Sequence, residues 1–212
     1  MDTARKTRDM DPKSPLGDRC IGWVLMRQGD FQGAAAAFRK SIVLDPGNAI
    51  DYGQLSYALS RLGRMDEAIA AVRKSIELNP RLAMAHANLG SYLLAKNKDL
   101  APAAAAECRK AIELDPAVDC AHVTLALCLF EMGDAEGALT SVRKALKLVP
   151  DFAQPHCIQG LILTRLGRFA EAEAAFHRGA ELYSPTAAMN SWTCESPLSY
   201  SHPDGVTESE SS

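Results

Sequence analysis

Three histidines sit at matched positions: His86, His122 and His156 lie 36 and 34 residues apart. Imidazole is the commonest metal ligand among side chains, so a ladder of this kind raises a metal-site reading. The other soft donors are six cysteines, Cys20, Cys108, Cys120, Cys128, Cys157 and Cys194. Zinc holds nitrogen ligands at about 2.0–2.1 Å, whereas packed helices stand about 8–10 Å apart. Residues that occur once per helix pair therefore do not converge on one ion. A half-buried packing position that tolerates His is the reading adopted, with no metal ligand assigned. No Cys-x-x-Cys pair occurs, so the zinc-ribbon and redox signatures are missing. Five of the six cysteines fall inside predicted helices. They are expected as small buried or half-buried residues in a reducing compartment, without a metal or disulfide role.

The remaining polar chemistry is equally dispersed. The sequence has no phosphate loop, no Gly-x-Ser-x-Gly and no His-Glu-x-x-His, so no catalytic residue and no cofactor are expected. Carboxylates such as Glu67, Asp115 and Glu136 fall at predicted helix ends, where capping and the helix dipole account for them. Arg-Lys pairs recur at 5–6, 39–40, 73–74, 109–110 and 143–144. They predict a basic stripe that either holds an acidic partner or RNA, or is a solvated face balanced by Glu77 and Glu113 a turn away. The solvated face is preferred. Lys plus Arg is 23 against 26 Asp plus Glu, a net charge of −3, which gives nucleic-acid binding no overall electrostatic support. The start, MDTARKTRDMDP, carries no apolar signal-peptide core, and no run of 18 apolar residues occurs. No membrane association and a cytoplasmic location are expected.

Groups so spaced need a scaffold with a period, and the prolines reveal one. Pro12, Pro46, Pro80, Pro116 and Pro150 are separated by 34, 34, 36 and 34 residues, and a further step of 34 reaches Ser184, beside Pro185. A fixed interval in this range marks stacked repeats. The segments that close each unit match: SIVLDP, SIELNP, AIELDP, ALKLVP and GAELYS, with a partial copy, RKTRDMDP, ahead of them. In this alignment Gly22, Ser56, Gly90, Ala126 and Gly160 share one position, and Ala34, Ala68, Ala104, Ala138 and Ala172 share another. Between the two columns lie the turns RQGDF, RLGRM, NKDL, EMGDA and RLGRF. Tyr52, Leu55, Leu59 and Leu62 have helical spacing, and Ala68, Val72, Ser75, Ile76 and Leu78 mark a second helix. Gly63 ends the first, Asp66 and Glu67 suit the start of the second, and the proline stops it. Small residues in both columns let paired helices approach at the close end of the usual range.

This pattern resembles the tetratricopeptide repeat, whose 34-residue unit carries small, Leu, Gly, Tyr, Ala, Phe and Pro markers. Residues 15–48 show it in Ile21-Gly22, Leu25, Gly29-Asp30-Phe31, Ala34, Phe38 and Pro46. Residues 153–186 show it in Gly160, Leu163, Gly167, Phe169, Ala172 and Phe176, and units 49–82, 83–118 and 119–152 lie between. The third unit has two extra residues in KNKDLAP. These are expected to swell a turn and spare the helix pair, with Pro102 near a helix start, where proline is tolerated. The resemblance implies an all-α, right-handed solenoid of about five helix-turn-helix repeats over 15–186. A half-repeat with only a second helix is expected at 1–14, and a Ser- and Pro-rich disordered tail at 187–212.

The resemblance further implies a concave face lined by the first helices, which takes up extended or helical peptides. Its lining positions map onto Trp23, Tyr57, Ser91, Leu127 and Leu161; onto Met26, Ser60, Leu94, Phe130 and Thr164; and onto Arg27, Arg61, Ala95, Glu131 and Arg165. Asn88 falls where the family often bonds a ligand's backbone. The expected partner-binding residues are therefore Trp23, Arg27, Tyr57, Arg61, Asn88, Leu127, Phe130, Leu161 and Arg165. The competing reading of Trp23 and Tyr57 is packing between repeats. The chaperone-binding carboxylate clamp does not map, because its positions hold Arg19, Trp23, Gln54, Met84 and Asn88, or one repeat later Gly53, Tyr57, Asn88, Cys120 and Thr124. A non-catalytic adaptor for a protein or peptide partner is the expected function. The alternatives are a recognition arm or fragment of a larger glycosyltransferase- or sulfotransferase-type enzyme, suggested by the half-repeat start, and a structural solenoid that forms homo-oligomers through an uncapped C-terminal repeat.

Overall fold

The computed structural model describes residues 13–183. The half-repeat expected at 1–14, apart from its last two residues, and the tail expected at 187–212 lie outside the described residues. Ten α-helices follow in pairs: α1 Pro15–Arg27 and α2 Phe31–Leu44, α3 Ala49–Arg61 and α4 Met65–Leu78, α5 Ala83–Lys96 and α6 Ala101–Leu114, α7 Asp119–Glu131 and α8 Ala135–Leu148, α9 Ala153–Arg165 and α10 Phe169–Leu182. The described residues contain no strand. Each helix packs on the next, most extensively within a pair, which makes an all-α solenoid. First helices of neighbouring pairs also touch from α3 to α9, while no two second helices pack to a comparable degree. The first helices therefore line the inner side of the stack.

Local sequence sets these boundaries. Asp30, Asn48 and Asp134 accept backbone N–H bonds from Gly33, from Ile50 and Asp51, and from Gly137 at the starts of α2, α3 and α8, satisfying donors the helix leaves open. Gly29, Gly63, Gly133 and Gly167 adopt φ of 72–85° in the turns within pairs, a left-handed conformation that glycine enters without a Cβ penalty. The third pair has no such glycine. Its two extra residues fold as a 3₁₀ turn at Lys98–Leu100, closed by an Asn97 side-chain bond to the Asp99 N–H. Pro102 then sits in the first turn of α6, where no N–H is required.

Pairs close through the two small columns. Ala34, Ala68, Ala104, Ala138 and Ala172 are all buried. The column of Gly22, Ser56, Gly90, Ala126 and Gly160 faces the helix that follows: a Cβ added to Gly22, Gly90 or Gly160 would meet Phe38, Cys108 or Phe176 at 2.6–2.8 Å. Pairs stack through another face of the second helices, where Ala35, Ile69, Ala105 and Leu139 are buried. In the last pair that position is Glu173, which is exposed, and Phe176 beside it is 38% exposed, whereas its counterparts Phe38, Val72, Cys108 and Val142 are buried.

Candidate functional site

The inner face begins with aromatic side chains braced by their neighbours. Trp23 on α1 meets Phe38 edge-on, with ring centroids 6.2 Å apart. Tyr57 on α3 is only 6% exposed and meets Phe31 edge-on, also at 6.2 Å. Arg61, one turn on, lays its guanidinium 4.4 Å from the Phe31 ring centroid and donates from Nη1 to Tyr57 Oη at 2.9 Å. A cation over an aromatic face gains about 0.5–1 kcal/mol at exposed sites. Arg165 repeats the motif 5.6 Å from Phe130, joining the fourth and fifth pairs. Tyr57, Arg61 and Phe31 thus form one cluster, and Phe130 and Arg165 another. Leu127 is half-buried against the core, Leu161 is 52% exposed and Arg27 is exposed. The acidic member of the arginine column, Glu131, is paired with Lys98 at 2.6 Å, which leaves the inner face with an excess of positive charge.

Between the clusters the surface is polar. Asn88 on α5 is 9% exposed. Beside it, Ser91 and Thr124 share a hydroxyl bond of 2.8 Å between α5 and α7. Arg19, at the first clamp position, is committed elsewhere: it donates to both oxygens of Asp51 at 2.8 and 3.0 Å and reaches Asp45 at 3.4 Å. The bond to Asp51 raises the Arg19 pKa above its ordinary value. Asp51 is 0% exposed and also accepts from Ser41 Oγ at 2.6 Å. This latch between the first two pairs was missed in the sequence, where Asp51 reads as one more acidic residue near a helix start. Phe31 was missed as the support for Arg61, because its repeat position identifies only a turn.

The histidine ladder has a structural partner. Nε2 of His86, His122 and His156 donates to the carbonyl of Pro80, Pro116 and Pro150 at 3.0, 3.0 and 2.8 Å. Each ties a first helix to the proline turn that precedes it. The Arg-Lys stripe is laced with carboxylates: Arg39 to Glu67, Lys74 to Glu77, Lys110 to Glu113 and Arg143 to Glu171.

The cysteines divide. Cys108 and Cys128 are buried and bonded to each other through a thiol hydrogen bond, which pushes the Cys108 pKa well up and lowers that of Cys128. Cys157 is half-buried and free, whereas Cys20 is exposed, against the expectation of burial. Cys120, in the first turn of α7, is disulfide-bonded, which the missing Cys-x-x-Cys spacing did not anticipate. Cys20, Cys108, Cys128 and Cys157 are free thiols. No group of three or more His, Cys, Asp or Glu among the described residues is placed to hold a metal, and no helix there is long and apolar enough to cross a membrane.

Models of the tetratricopeptide repeat match residues 19–48, 52–82 and 123–185. No curated protein matches the sequence. Among solved structures, the chain is similar to MamA at 27% identity, with a TM-score of 0.64 over 79% of this chain and 91% of that one. It is similar in fold to TTC0263, a thermophilic TPR protein of Thermus thermophilus, at 18% identity and a TM-score of 0.70 over 84% and 95% of the two chains. YrrB, described as a TPR protein with an unusual peptide-binding site, aligns at 16% identity and a TM-score of 0.64 over 88% and 94%.

Proposed function

This chain belongs to the tetratricopeptide repeat family, and from that premise we propose a non-catalytic interaction scaffold whose inner face binds an extended peptide or a helix of a protein partner. The observation that carries this reading is Asn88. Its carboxamide, on a residue 9% exposed, offers both a donor and an acceptor. A peptide backbone laid along α5 presents the complementary pair. Leu161 and the partly covered Trp23, Leu127 and Phe130 supply apolar contact, the type of anchor that dominates interface energies. Arg27, Arg61 and Arg165 favour acidic side chains beside those anchors, and Tyr57 acts by positioning Arg61.

The test uses acidic peptides with two aromatic residues, titrated by fluorescence anisotropy against the parent, Asn88→Ala and Arg61→Glu. About tenfold weaker binding is expected for each variant, equivalent to about 1.4 kcal/mol. Binding that ignores both changes, yet is lost when Arg73, Lys74, Arg109 and Lys110 are reversed to Glu, places the site on the outer stripe and refutes the inner-face reading.

A further inference from the structure

We propose that the inner face is occupied by the chain's own C-terminal segment, residues 184–212, which acts as an internal competitor for the partner. This inference rests on the inner-face reading above. The occupant follows from charge and anchor chemistry. The inner face carries Arg27, Arg61 and Arg165, while its acidic residue, Glu131, is already paired with Lys98. The segment contains Glu195, Asp204, Glu208 and Glu210 and no Lys or Arg. Among these acids stand Trp192, Leu198 and Tyr200, the apolar anchors such a surface requires. Few stretches of the chain offer a worse core and a better ligand.

Length permits the contact. The segment leaves α10 beside α9, at one end of the row of first helices. At about 3.3–3.6 Å per extended residue, it exceeds the roughly 40 Å made by four steps between helices about 8–10 Å apart.

An intramolecular ligand on a short tether competes at an effective concentration in the millimolar range. The experiment titrates a fluorescein-labelled peptide of residues 186–212, carrying Cys194→Ser, against full-length protein under reducing conditions. The proteins are the parent and the double variant Trp192→Ala, Tyr200→Ala. The peptide is expected to bind the double variant at least tenfold more tightly than the parent, and adding Arg27→Glu and Arg61→Glu should abolish that binding. Equal binding to parent and double variant overturns the proposal. So does binding that survives the charge reversals, which would place the segment elsewhere, such as the end face of α10 around Phe176. A concentration-dependent doubling of mass by sedimentation for the parent but not the double variant also overturns it, since the segment would then dock on a second copy. An unrelated peptide with two aromatic residues and four acids separates the two readings. If it binds the double variant and responds to Arg27 and Arg61 while the tail peptide does not bind, the inner face stands and the tail proposal falls. If neither peptide binds, both fall.

Discussion

Phe38 closes over Gly22 so tightly that a Cβ on Gly22 would lie 2.8 Å from its Cζ. The same positions hold Gly160 against Phe176 and Gly90 against Cys108, with clashes at 2.7 and 2.6 Å. Where the first helix carries a side chain instead, as at Ser56 and Ala126, the matching residues are Val72 and Val142, both buried. In four of the pairs volume is thus shared between the two columns, Gly facing Phe and Ser or Ala facing Val, whereas the third, Gly90 with Cys108, is small on both sides.

Gly22→Ala should therefore destabilise the protein by about 1–3 kcal/mol, the usual range for overpacking. Phe38→Val should itself be costly through lost burial and a cavity. The double variant reproduces the Ala126 and Val142 pairing, so it should be less destabilised than the sum of the single variants. Urea unfolding of all four proteins as a mutant cycle reads the coupling, and strict additivity would show that the two columns do not share space.

The latch between the first two pairs predicts a larger effect. Asp51→Ala leaves Arg19 without its main counter-charge and Ser41 with only its longer bond to the Pro15 carbonyl, at 3.2 Å. Breaking a buried pair by removing one partner costs about 3–5 kcal/mol. Arg19 retains some access to water and to Asp45, so a loss near the lower end, about 3 kcal/mol, is expected. Chemical denaturation checks it, and a loss below about 1 kcal/mol, the range of exposed pairs, would mean that Arg19 is solvated rather than latched.

On the inner face, Tyr57→Phe removes the hydroxyl that receives Arg61 while keeping the ring against Phe31. Stability should change little, within about 1.5 kcal/mol for one hydrogen bond, and dissociation of a bound acidic peptide should quicken. Reversal of Arg27 and Arg61 to Glu should instead slow association and blunt its dependence on salt. Stopped-flow rates separate the two effects, and identical kinetic signatures would contradict the split between positioning and steering.

Acid should loosen the outer stripe. Arg64 holds Glu67 through two bonds, at 2.6 and 2.7 Å, and keeps its carboxyl below the usual carboxylate range. A depressed carboxylate stabilises the fold above its unfolded value of about 4.3, and that contribution fades as pH falls through the lower folded value. Glu67→Gln should thus melt slightly below the parent at pH of about 7, with the gap closing under acid and shrinking in salt. A gap that widens on acidification would reverse the assigned sign.

Much of this architecture was legible because a repeat writes the same constraint five times. The proline interval, the small columns and the Gly turns each report a backbone requirement, and a backbone requirement depends on residue type alone. Partner choice does not. Asp51 looks like any acid near a helix start until Arg19 arrives from 32 residues away, and the histidine ladder reads only as a packing position that tolerates His until its ring nitrogens are seen on proline carbonyls. Tyr57 was readable as an inner-face residue, yet its near-complete burial depends on Phe31 in another pair.

Glu173 gives the stack a grammar for growth by duplication. A helix pair inserted between α6 and α7 would meet apolar neighbours on both sides, since each internal second helix carries Ala, Ile or Leu at the stacking position. A pair appended directly to α10 would have to bury a carboxylate, a desolvation that costs several kcal/mol unless a cation answers it. Lengthening from within needs no compensating change, whereas lengthening at this end first requires the loss of one charge.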